Sequence, residues 1–188
     1  MTAKKGSIHG YEFDDSTLFE LALTHRSVST RNNERLEFLG DSLLGLIISI
    51  EIMRKFPRSS EGELTRIRAS LVNGESLSSI ANQLGIGEMV LLGDGEKKSG
   101  GYRRPSILAD VFEALVGAIY LDSNFETVKT LVLDMFQEKI ESIETKTTPT
   151  KDSKTILQEN YNKMKDYGTL SQAINKLKLE EGYEHDFN

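Results

Sequence analysis

The stretch NERLEFLGDSLLGLIISI, residues 33–50, limits how this chain can fold more tightly than any other. Its length and its apolar run predict a helix that buries one side. On such a helix Glu37 and Asp41, four residues apart, share a face, and the same stripe continues through Leu44 and Ile48. Two like charges on a face heading into a core lose solvation and repel each other. That costs several kcal/mol unless their pKa values rise or a cation joins them. A divalent cation would remove both penalties.

Strand signals are scarce along the chain and helix signals recur, so an all-α fold is expected. Ser16 or Thr17 can cap a short helix to Leu23, with Thr17 and Glu20 at capping-box spacing. Asn32 or Asn33 can cap the long helix, from about Glu34 to Lys55, which Pro57 stops. Ser60 and Glu63 again have capping-box spacing before LTRIRASLV, and Asn73-Gly74 closes that helix. A fourth helix spans Glu75 to Leu84 and ends at Gly85. Residues 85–104 read as an irregular glycine-rich loop around a short strand at MVLL. Pro105-Ser106 opens a helix to about Leu121, and a last one runs from Asn124 to about Ile143. The domain is expected to cover residues 1–144, followed by a linker at 145–150 and a small segment at 151–188. No internal repeat is found.

A second acidic pair, Asp110 and Glu113, lies at i and i+3 in ILADVFEALVGA, on a side that continues through Ala114 and Gly117. Small residues there let another helix approach closely. If the helix bearing Glu37 and Asp41 packs against this one, four carboxylates converge, a ligand set that suits hard Mg²⁺ or Mn²⁺ and phosphate substrates. The bland alternatives are a solvated ion pair at Glu37 and a first-turn position for Asp110 after a Ser106 cap, where the helix dipole favours an acid.

Composition narrows the chemistry further. The chain has no cysteine, which excludes disulfides and thiolate metal sites. The longest apolar run, Leu43 to Ile50, is too short to cross a bilayer and the start lacks a secretory pattern, so a cytoplasmic protein with no membrane partner is expected. The formal net charge is −6, and the excess sits in residues 1–144, with 16 Lys+Arg against 22 Asp+Glu. Basic residues nevertheless cluster locally, at 54–58, 66–68 and 97–104, and such patches can bind phosphate where the average cannot.

NERLEFLGDSLL, then FPRSSEGELTRIRASLVN, then GGYRRPSILADVFEALVGAIYLD, in this order, resemble the catalytic domain of ribonuclease III, the double-stranded-RNA endonuclease family, over roughly residues 10–144. The resemblance implies an all-helical homodimer with Glu37, Asp41, Asp110 and Glu113 as metal ligands and catalytic residues. It assigns Glu34 a supporting role and puts Glu61 near the partner subunit's active site. It also implies Mg²⁺-dependent hydrolysis, with Mn²⁺ as a substitute, of one phosphodiester on each strand of an RNA duplex. The products would carry 5′-phosphate and 3′-hydroxyl ends with a short 3′ overhang, and the implied biology is rRNA and mRNA precursor processing. Divalent ions would activate water and stabilise the leaving 3′ oxygen. A-form RNA would be chosen by groove shape and 2′-hydroxyl contacts.

Around that site, Lys97, Lys98, Arg103 and Arg104 in EKKSGGYRRP are assigned to backbone phosphates against the alternative of a solvated turn. Arg66 and Arg68 face different ways, so at most one reaches RNA. His25 is read as structural rather than as a metal ligand, and Asn73 as a helix stop. KDSKTILQE, residues 151–159, resembles the opening of an α-β-β-β-α double-stranded-RNA-binding domain, but the match fails soon afterwards, leaving a partial or divergent segment. Two rival readings remain: a duplex-RNA binder that does not cut, and a helical scaffold whose acids are merely solvated.

Overall fold

A computed structural model describes residues 6–147, and side chains up to residue 143. The expectations for 148–188, the partial RNA-binding segment among them, lie outside the described residues. The chain divides between Glu144 and Thr145 into two compact units, and the first of them carries both acidic pairs.

Among the described residues the fold is helical, in keeping with the all-α expectation: α1 (Ser16–Leu23), α2 (Glu34–Lys55), α3 (Glu61–Leu71), α4 (Gly74–Gln83), α5 (Ile86–Met89), α6 (Asp94–Lys98), α7 (Pro105–Asp122) and α8 (Phe125–Thr147). Helix α7 is the axis of the first unit. It is apolar nearly all round, and the side chains from Ile107 to Ile119 are buried except Asp110 and Glu113. A helix of that character must be surrounded, and α1, α2 and α4 pack on it directly, while α8 reaches it through Phe136, whose ring lies 6.2 Å from that of Phe112.

The tightest contact is α2 on α7, and glycine makes it. A Cβ added to Gly40 would run into the backbone carbonyl of Glu113, and one added to Gly117 would run into that of Leu36. The helices therefore meet backbone to backbone at two places one turn apart. The expectation of a close approach holds at Gly117, and Gly40 is its counterpart on α2. The stripe from Glu37 is buried where it reaches Leu44 and Ile48, at 1% and 0% exposure, and opens to solvent at Asp41.

Several helix ends differ from expectation. Helix α1 is capped by Asp15, whose carboxylate accepts from the Thr17 amide at 2.8 Å, so Thr17 and Glu20 form no capping box. Aspartate outranks the residues after it because it already stands one position ahead of the helix with extended backbone. At α2 it is the Asn32 carboxamide that takes an amide, that of Glu34 at 3.0 Å, while Asn33 is buried and donates to the Ala22 carbonyl. The Ser60–Glu63 box is present. Asn73 starts α4, accepting from the Ser76 amide at 2.8 Å, and Val72 is the residue that ends α3. Gly85, at φ 69°, ends α4 in the left-handed conformation. Helix α8 continues to Thr147, past the expected end near Ile143.

The glycine-rich stretch 85–104 is more regular than its composition suggests. It holds α5, α6 and a 3₁₀ turn at Gly101–Arg103. The expected strand at MVLL shrinks to one parallel bridge, Leu91 to Thr24. The structure adds a two-stranded hairpin, β1 (Ser7–Ile8) and β2 (Tyr11–Glu12), that the sequence does not signal. Two residues per strand are too few to print a pattern. It turns at His9 and Gly10, both at positive φ, and is tied down by Asp122, which accepts from the Tyr11 hydroxyl at 2.6 Å and from the Asp14 and Asp15 amides.

Candidate active site

The backbone contact of α2 with α7 brings together three of the four expected acids. Glu37, Asp110 and Glu113 each offer a carboxylate oxygen within 4.8 Å of the others, and all three are half-buried. Asp41 is exposed and stands outside this group, at its rim. It is nonetheless the strongest of the like charges acting on Glu113.

The electrostatics follow from that packing. Burial pushes the Glu113 carboxyl up to about 8, and the charges of Asp41, Glu37 and Asp110 push in the same direction. Burial also raises Glu37, with Asp110 and Glu34 adding to the shift and Arg26 opposing it. Asp110 is raised by burial, with the nearby Arg26 guanidinium opposing the shift. Asp110 lies six residues into α7, because Pro105 is the first helical residue and Ser106 does not cap it. The helix dipole fades within the first turn, so it gives no reason for an acid there. No cationic side chain is paired with Glu113 among the described residues, and burying an unpaired carboxylate beside like charges is costly. Three oxygens at this spacing, without sulfur or imidazole, fit a hard divalent cation.

The remaining expected residues surround this cluster at varying distance. Glu34 is exposed on the first turn of α2, 3.6 Å from the Arg26 guanidinium. Together with His25, Arg26, Asn33, Glu37 and Asp110 it lines a cavity of about 200 Å³ that opens beside the acidic cluster. Glu61 sits exposed at the start of α3, accepts from the Thr65 hydroxyl and does not join the cluster of its own protomer. Lys97 and Lys98 are exposed on the last turn of α6. Arg103 lies over the Tyr102 ring at 5.0 Å. Arg104 is paired with Glu96 at 3.0 Å and donates to the Ser99 hydroxyl, so it braces the loop ahead of α7. Arg68 donates to Ser49 on α2, and Arg66 stays exposed. Arg26 is a residue that sequence reasoning misses: one exposed arginine in a loop carries no signal of its own, and only its neighbour His25 hints at the place.

A ribonuclease-III-like family model matches residues 15–140. Ribonuclease 3 of Idiomarina loihiensis is 51% identical over 152 residues, which cover 81% of this chain and 66% of that one. Ribonuclease 3 of Coxiella burnetii is 51% identical over 150 residues, 80% of this chain and 64% of its own. The chain thus spans about two thirds of the length of these curated relatives. Among solved structures, the nuclease domain of ribonuclease III from Campylobacter jejuni, described for flexibility in a region involved in dimer formation, aligns with a TM-score of 0.67. It is 45% identical, and the alignment covers 68% of this chain and 90% of that one. Dicer from Pichia stipitis aligns with a TM-score of 0.56 at 28% identity, over 70% of this chain and 58% of its own.

Proposed function

Because this chain belongs to the ribonuclease-III-like family, we propose that it is a divalent-metal-dependent endoribonuclease that cuts both strands of duplex RNA as a homodimer. The products are 5′-phosphate and 3′-hydroxyl ends with short 3′ overhangs, and the role is processing of rRNA and mRNA precursors in the cytoplasm. The observation that carries this reading is the convergence of Glu37, Asp110 and Glu113 from two helices, with no cationic side chain paired with Glu113 among the described residues.

In this reading Glu37, Asp110 and Glu113 hold the metal and Asp41 completes the set from the rim. A bound Mg²⁺ or Mn²⁺ supplies Lewis acidity toward water and phosphate. The protein's part is positioning: α2 and α7 fix the carboxylates on rigid backbone, and Glu34 orients Arg26 across the adjoining cavity. Exposed Lys97, Lys98 and Arg103 meet backbone phosphates, while Arg104 holds the segment that presents them. Glu61 serves the partner subunit. The homodimer is supported by an exposed apolar row on the outer face of α2, Phe38, Leu46, Ile50 and Met53, with Phe38 77% exposed. Among the described residues no helix is long and apolar enough to cross a membrane.

The test is incubation of the purified chain with a perfect RNA duplex and Mg²⁺. Staggered cuts on both strands that stop on chelation are expected. Tight duplex binding with no cut in Mg²⁺ or Mn²⁺ would replace this reading with that of a binding protein.

A further inference from the structure

The cavity of about 200 Å³ beside the acidic cluster is lined by one imidazole, and its Nδ1 side is tied down. His25 is buried at 8% exposure. Its amide donates to the Leu91 carbonyl at 3.0 Å, and its own carbonyl accepts from the Val28 amide at 2.9 Å. The ring is held as firmly as the backbone. The Ser27 amide donates to Nδ1 at 3.2 Å, and the Ser27 hydroxyl lies 2.8 Å from the same nitrogen. That hydroxyl oxygen accepts from the Gly93 amide at 2.9 Å, which ties the ring's neighbour to the segment ahead of α6. The approach requires glycine, because a Cβ at position 93 would run into the Ser27 carbonyl.

An imidazole nitrogen that accepts from an amide carries no proton, so the ring's proton is on Nε2. His25 therefore offers one donor from a fixed ring in a polar cavity that Glu37 and Asp110 also line. A space of this size holds water readily. A donor set behind a metal-binding carboxylate limits how that carboxylate can turn, and such partners typically change metal affinity by about 10–100-fold.

We propose that His25 is a positioning residue for the metal site, its Nε2–H holding the Asp110 carboxylate through one water of the cavity. This rests on the metal-site reading of the acidic cluster. The Ser27 amide sets the tautomer, and the Ser27–Gly93 contact links the loop after α1 and the segment ahead of α6 to the geometry of the acids.

The two ring nitrogens can be separated by substitution. His25→Gln keeps a donor near the Nε2 position and lacks the Nδ1 acceptor, whereas His25→Asn keeps an acceptor near Nδ1 and lacks the donor. Direct Mn²⁺ binding to the full chain, measured by electron paramagnetic resonance beside the thermal unfolding of the metal-free forms, is expected to leave His25→Gln within about 3-fold of the unsubstituted chain. His25→Asn should bind about 10-fold or more weakly with unchanged unfolding. The reverse order, Asn preserved and Gln impaired, would mean that the ring only pins the loop and would overturn the proposal, as would equal affinity in all three. If His25→Gln does not fold, His25→Asn decides alone: Mn²⁺ affinity equal to that of the unsubstituted chain overturns the role. An unsubstituted chain that takes up no Mn²⁺ overturns the metal-site reading itself, a result distinct from a failure at His25.

Discussion

The acidic cluster and the basic segment are adjacent in the chain, since α7 begins one residue after Arg104, yet they are built in opposite ways. Glu37, Asp110 and Glu113 project from two long helices in backbone contact, half-buried and close enough to alter one another's protonation. Lys97, Lys98 and Arg103 project from α6 and a 3₁₀ turn, short elements whose course is set by contacts such as Gly93 on Ser27 and Gly87 against the Tyr102 carbonyl. The difference teaches that, in the proposed reading, the charges that must be placed precisely sit on rigid periodic backbone, where displacement by an ångström would undo a ligand set. Those proposed for phosphate sit on the surface, where such contacts tolerate slack.

The sharpest way to break this contrast is to remove the acids. Glu113→Gln and Asp110→Asn are expected to lower Mg²⁺-dependent duplex cleavage by about 1,000-fold or more, because loss of metal stabilisation is worth several kcal/mol at about 1.36 kcal/mol per decade of rate. Asp41→Ala should fall as far if the rim position serves the same ion; single-turnover cleavage of a labelled duplex measures all three. Retained cleavage in any variant takes that residue out of the metal set.

Next in size is the backbone contact that builds the acidic side. Gly40→Ala should push α2 off α7, lowering stability by about 1–3 kcal/mol, and should cost divalent-ion binding as well. Gly95→Ala on the basic side, where a Cβ meets nothing within 4 Å, should keep both and serves as the control in the same denaturant titration. Equal effects of the two substitutions would erase the contrast.

The protonation of Glu113 gives a smaller and subtler effect. Its carboxyl is raised from 4.5 to about 8 in the folded chain. Between those values the native state binds more protons than the unfolded one, so the metal-free protein should lose stability as pH rises through that window. Mg²⁺ should restore it with proton release, and Glu113→Gln should flatten the profile. Thermal unfolding against pH, with and without Mg²⁺, shows it; a stability that rises toward pH 8 in the metal-free chain runs against the reading.

The smallest effect is expected on the basic side. Lys97→Ala and Lys98→Ala should each weaken duplex binding a few-fold, equally across sequences, and each should reduce the slope of log affinity against log salt by about 1. An unchanged slope would leave these lysines as solvated turn residues. Arg104→Ala should instead disturb the loop through loss of its Glu96 partner.

Much of this is legible in the sequence where helical period speaks. The i, i+4 spacing of Glu37 and Asp41, the i, i+3 spacing of Asp110 and Glu113, and the small residues beside the second pair are enough to expect two helices meeting through their acids. Less is legible where a residue's meaning depends on a distant partner. Asn73 reads as the stop of one helix although it caps the start of the next, and Asp15 is masked as a cap by the two hydroxyl residues after it. The stretch 85–104 reads as irregular because glycine content marks turns without saying which short helices the turns join.

The sequence by itself determined the long helices, their apolar faces and the register of the carboxylates along each, because those follow from local periodicity and the cost of exposing apolar surface. Only the tertiary structure decided that Gly40 would lie on the Glu113 backbone, that Asp41 would stand at the rim while three acids closed together, and that Ser27 and Gly93 would lock the His25 ring. These are contacts between residues far apart in the chain. Their energy exists only once the helices have packed, so no local pattern could carry it.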